Sequence, residues 1–372
     1  MKLGSLSRQL GLAALAFLVV TACGSSSTAA GATDWSKQSS ASAGGGMDAL
    51  VTAAKAEGQL NVIALPPDWA NYGAIISGFT AKYGITVNSA NPNGSSQQEV
   101  DAINQLAGTS AAPDVVDVGM KVALANTTVF APYEVSKWSD ILAGQKEATG
   151  LWVQDYGGFM GIGYDSSKVP GGVINSVQDL LGSGYKSKVA LAGDPTQSNQ
   201  ALNGVIMASV ANGGSLEDVT KGVDFFHQLK KAGNFVPVVG TAATVKAGQT
   251  PVLFEWDYLS ASHGKDVSTW KIFVPSNATI GGYYAQAVNK QAPHPAAARL
   301  WEEYLYSDEG QNLWLKGGAR PVRQAAMTTA GTVDATAAAA LPAITGTPQF
   351  PTQNQSTAAG AYLSAHWSAA IS

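Results

Sequence analysis

From Leu60 onward, short apolar runs alternate with segments whose apolar residues recur at helical spacing, and this alternation limits the possible folds more than any other feature. The run Leu60–Leu65 leads into a helical pattern over Asn71–Tyr83 and then a strand near Ile85–Asn88. The turn-rich stretch Asn91-Pro92-Asn93-Gly94-Ser95-Ser96 introduces a helix through Leu106; Asp114–Val118 reads as a short buried strand, and a helical segment starts near Lys121. After the glycine-rich stretch Gly157–Tyr164 the pattern resumes with a strand at Lys188–Ala192 and a helix at Asn199–Asn212. Ser215 and Asp218 resemble a capping box, and Leu216, Val219, Val223, Phe226 and Leu229 carry an amphipathic helix from there to about Ala232. Strands at Pro251–Trp256, Trp270–Pro275 and Gly281–Val288 follow, then helices at Pro295–Tyr306, Ser307–Lys316 and Ala358–Ile371. Such alternation predicts an α/β fold with a largely parallel sheet. The 372 residues leave room for two units of this kind. The glycine-rich passages near 157–163 and 281–282 read as crossings between them.

The N-terminus has the pattern of an export signal. Lys2 and Arg8 mark a polar start, and Leu10–Thr21 is an apolar stretch too short to span a bilayer. It ends Val20-Thr21-Ala22-Cys23, with the only cysteine of the chain directly after small residues. This resembles the bacterial lipobox, which implies a signal peptide over 1–22 and lipidation of Cys23. The alternative is an ordinary secretory peptide with an incidental cysteine. Residues 23–46 are Ser/Ala/Gly-rich and read as a flexible tether, with the fold starting near Met47. The expected location is therefore the outer face of the cytoplasmic membrane or the periplasm, lipid-anchored.

Charged residues make up 13% of the chain, with 22 Lys and Arg against 26 Asp and Glu, and no basic patch points to nucleic acid. The scarcity of charge gives weight to acids that stand beside aromatics in loops. No nucleophile elbow, phosphate-binding loop, zinc-protease motif or calcium loop is present. Gly161-x-Gly163 lacks the third glycine of a dinucleotide fingerprint, and His227, His263, His294 and His366 are scattered without metal-ligand spacing. No cofactor or resident metal is implied.

Four loops and one tyrosine pair could still meet a ligand. Pro66 and Pro67 stiffen the loop that carries Asp68, Trp69 and Tyr72, at the position where α/β sheets bind ligands. Its rings either face a cation or cover the helix start. In Phe254-Glu255-Trp256-Asp257-Tyr258, an extended chain would place Glu255 and Asp257 on one face and Trp256 and Tyr258 on the other. Either that stretch lines a cleft or it is a strand end with one buried and one solvated face. Asp194, ahead of a helix, is a contact or a cap. Ser95 and Ser96 either hold a carboxylate or phosphonate or cap their own helix. Tyr283 and Tyr284 raise the possibility of ferric ligation, which neighbours in a strand could share only across a bulge.

With these residues in view, the chain resembles the solute-binding proteins of bacterial ABC transporters, of the type II periplasmic-binding class and its polyamine/iron branch. The likeness runs from about Met47 to the C-terminus. It rests on Ala53-Ala54-Lys55-Ala56-Glu57-Gly58, Tyr164-Asp165-Ser166-Ser167-Lys168-Val169, Ala292–Ala298 with Ser307-Asp308-Glu309-Gly310-Gln311, and Gly318-Ala319-Arg320-Pro321-Val322-Arg323. The resemblance implies a two-lobed fold with a hinged cleft, lobe 1 comprising 47–163 and 281–372 and lobe 2 comprising 164–280. It further implies a monomer without enzymatic activity that captures a small solute and delivers it to membrane permease subunits. Trp69-Ala70-Asn71-Tyr72 is similar to the W-T-x-Y of polyamine binders, with alanine in place of the threonine, and Trp256 and Asp257 resemble a tryptophan and acid used in their second lobe. A polyamine-like cation is the favoured ligand. Arg320 would repel a cation unless paired, which keeps ferric, amino-phosphonate and other zwitterionic ligands open. An exported hydrolase and a cell-wall interaction protein are the competing classes.

Overall fold

Helix α1 (Met47–Glu57) ends at Gly58, whose left-handed backbone reverses the chain into strand β1 (Gln59–Ile63). After a loop come α2 (Tyr72–Tyr83) and β2 (Thr86–Ala90), which pairs with β1 in parallel, Gln59 opposite Thr86 and Ile63 opposite Ala90. Next are α3 (Ser96–Gln105), β3 (Val115–Gly119), α4 (Met120–Ala125), β4 (Phe130–Ala131) and the 13-residue strand β5 (Val153–Asp165). A second group holds β6 (Val189–Leu191), α5 (Asn199–Ala211), α6 (Thr220–Lys231), α7 (Ala242–Lys246), β7 (Val252–Trp256), α8 (Asp257–His263) and β8 (Trp270–Phe273). The chain returns through β9 (Gly281–Asn289), α9 (Pro295–Leu305), α10 (Asp308–Lys316), β10 (Arg320–Pro321), α11 (Gln324–Ala330), α12 (Ala335–Ala339) and α13 (Gln353–Ile371). This computed structural model describes residues 33–372, so the expected export signal and lipidation at Cys23 lie outside the described residues. Asp34–Ser372 form one compact unit, and no helix among the described residues is long and apolar enough to cross a membrane.

The main sheet runs β3-β9-β5-β7-β6, with β4 on β9 and both β8 and β10 on β5. Only β6 and β7 pair in parallel within it; the other pairings are antiparallel. The predicted largely parallel sheet is therefore corrected. Strand β9, from late in the chain, inserts between β3 and β5 and runs opposite to both, so sheet neighbours are not joined by short crossover helices.

Strand β5 changes partners along its length. Residues Val153–Phe159 pair with β9 and β10, and Met160–Asp165 pair with β7 and β8. The glycine-rich passage is thus a continuous strand joining two parts of the sheet. Its glycines permit close approach: a Cβ on Gly158 would collide with the Asp257 carboxylate and the Tyr258 ring. A register shift between Gln154 and Gly157 marks a bulge that carries Asp155 and Tyr156, both fully buried.

Three local expectations change. Residues 34–46 are packed and are not a tether: Asp34 caps a short 3-10 turn over Trp35–Lys37, and the Trp35 ring is 4% exposed against Gly44. Arg299 of α9 secures this segment by donating to the carbonyls of Gln38 at 2.8 Å and Ser36 at 3.2 Å. Tryptophan buries more apolar area than the small residues around it can, which fixes an otherwise featureless stretch. Helix α6 starts at Thr220, because the Ser215 hydroxyl accepts from the amides of Glu217 and Asp218 and closes a turn first. Helix α13 starts at Gln353, capped by Thr352 and Gln355, and seats Trp367 against Phe226 and Phe235.

Candidate ligand-binding cleft

A cleft of about 760 Å³ opens between two sets of loops. One wall comes from the loop after β1, the loop and first turn of α3, Asp117 of β3 and Tyr284 of β9. The other comes from the loop between β6 and α5, the start of α7, Glu255 at the end of β7, and Leu259, Ser262 and His263 of α8.

The loop after β1 is bent by left-handed backbone at Ala64, Ala70 and Asn71, an uncommon conformation for residues with a Cβ. This lifts Asp68 into solvent at the cleft and lays the half-buried Trp69 ring edge-on to Tyr258 and Tyr284. The Trp69 indole donates to the Tyr156 hydroxyl at 2.7 Å, so one edge of the ring is already fixed. Tyr72 does not reach the cleft: it is fully buried and its hydroxyl donates to Asp117 Oδ2 at 2.8 Å.

Ser95 and Ser96 border the cleft with their side chains occupied. Ser95 forms a capping box with Gln98, and the Ser96 hydroxyl accepts from the Gly119 amide at 3.0 Å. On the opposite wall Asp194 is exposed, yet its Oδ1 accepts from both the amide and the hydroxyl of Thr196, while Ser198 caps α5.

The strand-end stretch at 254–258 divides its chemistry. The strand stops at Trp256 and α8 begins at Asp257, so the extended two-face arrangement does not form. Glu255 lines the cleft, buried, with Oε2 3.0 Å from His263 Nε2. Burial raises the pKa of Glu255, while for His263 burial opposes the imidazolium and the Glu255 carboxylate outweighs it, raising the ring's pKa as well. Asp257 points elsewhere: Oδ2 is 2.6 Å from Arg320 Nη1, and Oδ1 accepts from the amides of Phe159 and Tyr258 at 3.0 Å each. Trp256 and Tyr258 are fully buried beneath the wall. Arg320 is thus paired, and its charge does not face the cleft.

Tyr284 lines the cleft and stacks on Tyr156 at 5.8 Å, whereas Tyr283 lies near Phe350 and does not line it. The cleft therefore receives one phenol of the pair and not both. Among the described residues, no group of three or more His, Cys, Asp and Glu is placed to hold a metal ion.

Three titratable residues of the cleft were not among the candidates read from the sequence: Glu99, Asp117 and His263. Glu99 Oε2 accepts from the Asp117 amide at 2.9 Å, and Asp117 Oδ2 accepts from Tyr72 and from Tyr156, the latter at 2.9 Å. Burial pushes Asp117 up to about 7 despite these phenol donors, and burial with the nearby Asp117 holds Glu99 well above the usual carboxylate range. An acid inside the apolar run Val115–Val118 was the available signal, since such a position is costly without a purpose.

The sequence profile of the bacterial extracellular solute-binding protein family matches residues 110–341, more than half of the chain. The chain belongs to this family. It is accordingly a binding protein and not an enzyme, and the two-lobed periplasmic-binding fold agrees with solved structures. Iron-bound HitA from Pseudomonas aeruginosa is 19% identical with a TM-score of 0.56, covering 72% of this chain and 87% of its own. A putative spermidine/putrescine ABC transporter protein from Listeria monocytogenes is 12% identical with a TM-score of 0.62, covering 84% and 99%. The binding protein AfuA from Actinobacillus pleuropneumoniae, with fructose-6-phosphate bound, is 17% identical with a TM-score of 0.58, covering 72% and 86%. Among curated proteins none matches the solute-binding protein in sequence.

Proposed function

We propose that this solute-binding protein captures a small amine-bearing cation, of polyamine type, and delivers it to the permease of an ABC importer. The observation that carries this reading is the charge of the cleft lining. Asp68, Glu99, Asp117, Asp194 and Glu255 border it, together with His263 and no lysine or arginine. An anion entering such a cleft would meet five carboxyl side chains, with a single imidazole, already paired to Glu255, to offset them. The helix starts at Ser95 and Ser198, which could otherwise attract an anion, are capped by their own side chains. Trp69 and Tyr284 add ring surface for an ammonium or its methylene chain.

The lobes in this reading are 47–163 with 281–372, and 164–280. The partner change along β5 supports a hinge there, and a solute touching both walls favours the shut form by differential affinity. Lipidation at Cys23 would keep the receptor beside its permease, acting as a monomer. Thermal denaturation with putrescine, spermidine, 2-aminoethylphosphonate, fructose-6-phosphate and ferric citrate tests the ligand class. A true ligand at 100 times its Kd adds about 2.7 kcal/mol of stability. Stabilisation by an amine-free anion alone would refute the cationic reading.

A further inference from the structure

We propose that the cleft floor formed by Glu99 and Asp117 is a proton-for-cation exchange site, which holds a proton when empty and releases it when an ammonium group of the solute seats against it. The proposal rests on the amine-bearing reading above and adds the subsite and its linkage to pH.

The geometry is a buried acid cluster without a cation. Glu99 on α3, Asp117 on β3 and Asp155 in the β5 bulge are each at most 7% exposed. None of the three enters an ion pair with Lys, Arg or His among the described residues. The groups that act on the cluster from the surrounding elements are neutral phenols: Tyr72 of α2, Tyr156 of β5, Tyr258 of α8, and Tyr306, which follows α9. Tyr284 of β9 adds a fifth. Gln286 joins Tyr72 to Asp155, donating at 3.0 and 3.1 Å.

Three carboxylates cannot all stay ionised in such surroundings, since each lacks a counter-charge and the Glu99 carboxylate, seated on the Asp117 backbone amide, also feels the Asp117 charge. The cluster therefore keeps protons at neutral pH. Asp117 Oδ1 remains buried without a hydrogen-bond partner, although the opposite oxygen has two. A buried acceptor without a partner is costly, and on a residue that lines the cleft it can accept from a ligand N–H. Seating an ammonium there supplies the missing positive charge, and the proton leaves to solvent, so charge balances. Glu255 and His263 on the far wall differ, because each already has the other as its partner at 3.0 Å.

Calorimetry of the full chain with putrescine and with spermidine tests the exchange. Titrations at pH 6 in two buffers of different ionisation enthalpy give the protons released. About one proton per bound amine is expected, with affinity rising up to tenfold per pH unit between pH 5 and 7 and then levelling off. Asp117→Asn should abolish the release, whereas His263→Gln should leave it in place. Binding with no proton release and a flat pH profile would overturn the exchange while leaving the amine reading intact. If neither amine binds, the amine reading itself fails. Infrared spectroscopy of the ligand-free chain needs no ligand: a protonated-carboxyl band at pH 7 that weakens in Glu99→Gln supports the stored proton, and a band unaffected by that change overturns it.

Discussion

Replacing Arg320 by methionine should destabilise the protein strongly while leaving ligand affinity unchanged, because the guanidinium serves Asp257 and not the cleft. The two charges are 2.6 Å apart, with the Asp257 side chain fully buried and Arg320 13% exposed. At an effective dielectric of about 20 their Coulomb attraction is about 6 kcal/mol. Part of that is offset by the hydration both groups gave up, and breaking such a pair from one side costs about 3–5 kcal/mol. The contacts of Arg320 with the Pro342 carbonyl at 2.8 Å and the Phe159 ring at 4.9 Å are lost as well. Urea denaturation at pH 7 would measure the loss. Burial already raises the Asp257 pKa against the opposing pull of Arg320, and loss of the guanidinium would raise it further. The deficit should therefore grow as pH rises through the folded pKa of Asp257 in the parent protein and shrink toward acid. The double variant Asp257→Asn with Arg320→Met should recover part of the deficit, since no unpaired charge remains. A loss below about 1 kcal/mol, or a change in ligand affinity as large as that of Asp68→Asn, would refute the assignment of this pair to the frame.

Trp35→Ala should cost about 3–5 kcal/mol and expose residues 34–46 to limited proteolysis, an outcome that a free tether would not give. Gly158→Ala should destabilise by at least about 2 kcal/mol in urea, because the new methyl meets the Asp257 carboxylate and the Tyr258 ring. His263→Gln should remove a stabilisation that is fully present below the unfolded histidine pKa and lost as pH rises through the raised folded one. Stability curves of the two proteins should therefore converge toward alkaline pH. Asp68→Asn, at an exposed position, should weaken amine binding in calorimetry without shifting the urea midpoint.

Much of this architecture is legible in the sequence because period and punctuation agree locally. Gly58 and Gly84 end helices where the apolar pattern stops, and Ser307 starts α10 as its hydroxyl implies. Sheet direction was not legible, since it depends on which distant strand fills the gap between β3 and β5. The candidate site was legible only at its rim. Asp68, Trp69 and Glu255 stand where strand ends place them, but the same stretch that carries Glu255 also carries Asp257, and only the turn into α8 separates their roles. Glu99 was hidden because the spacing after Ser96 explains it equally well as a helix-start residue. Asp117 was hidden by its apolar neighbours, and the partners that make it tolerable come from Tyr72 and Tyr156, remote in sequence.

Strand β9 sets the order in which this molecule can be made. Strands β3 and β5 are synthesised early, yet both bond to β9, and the segment beginning at Asp34 is held by Arg299. A chain emerging N-terminus first cannot close that part of its core before about residue 299 is free. Its first 280 residues must wait with unpaired strand edges and an unsheltered Trp35. Such non-local closure is slow, and the waiting chain is open to aggregation.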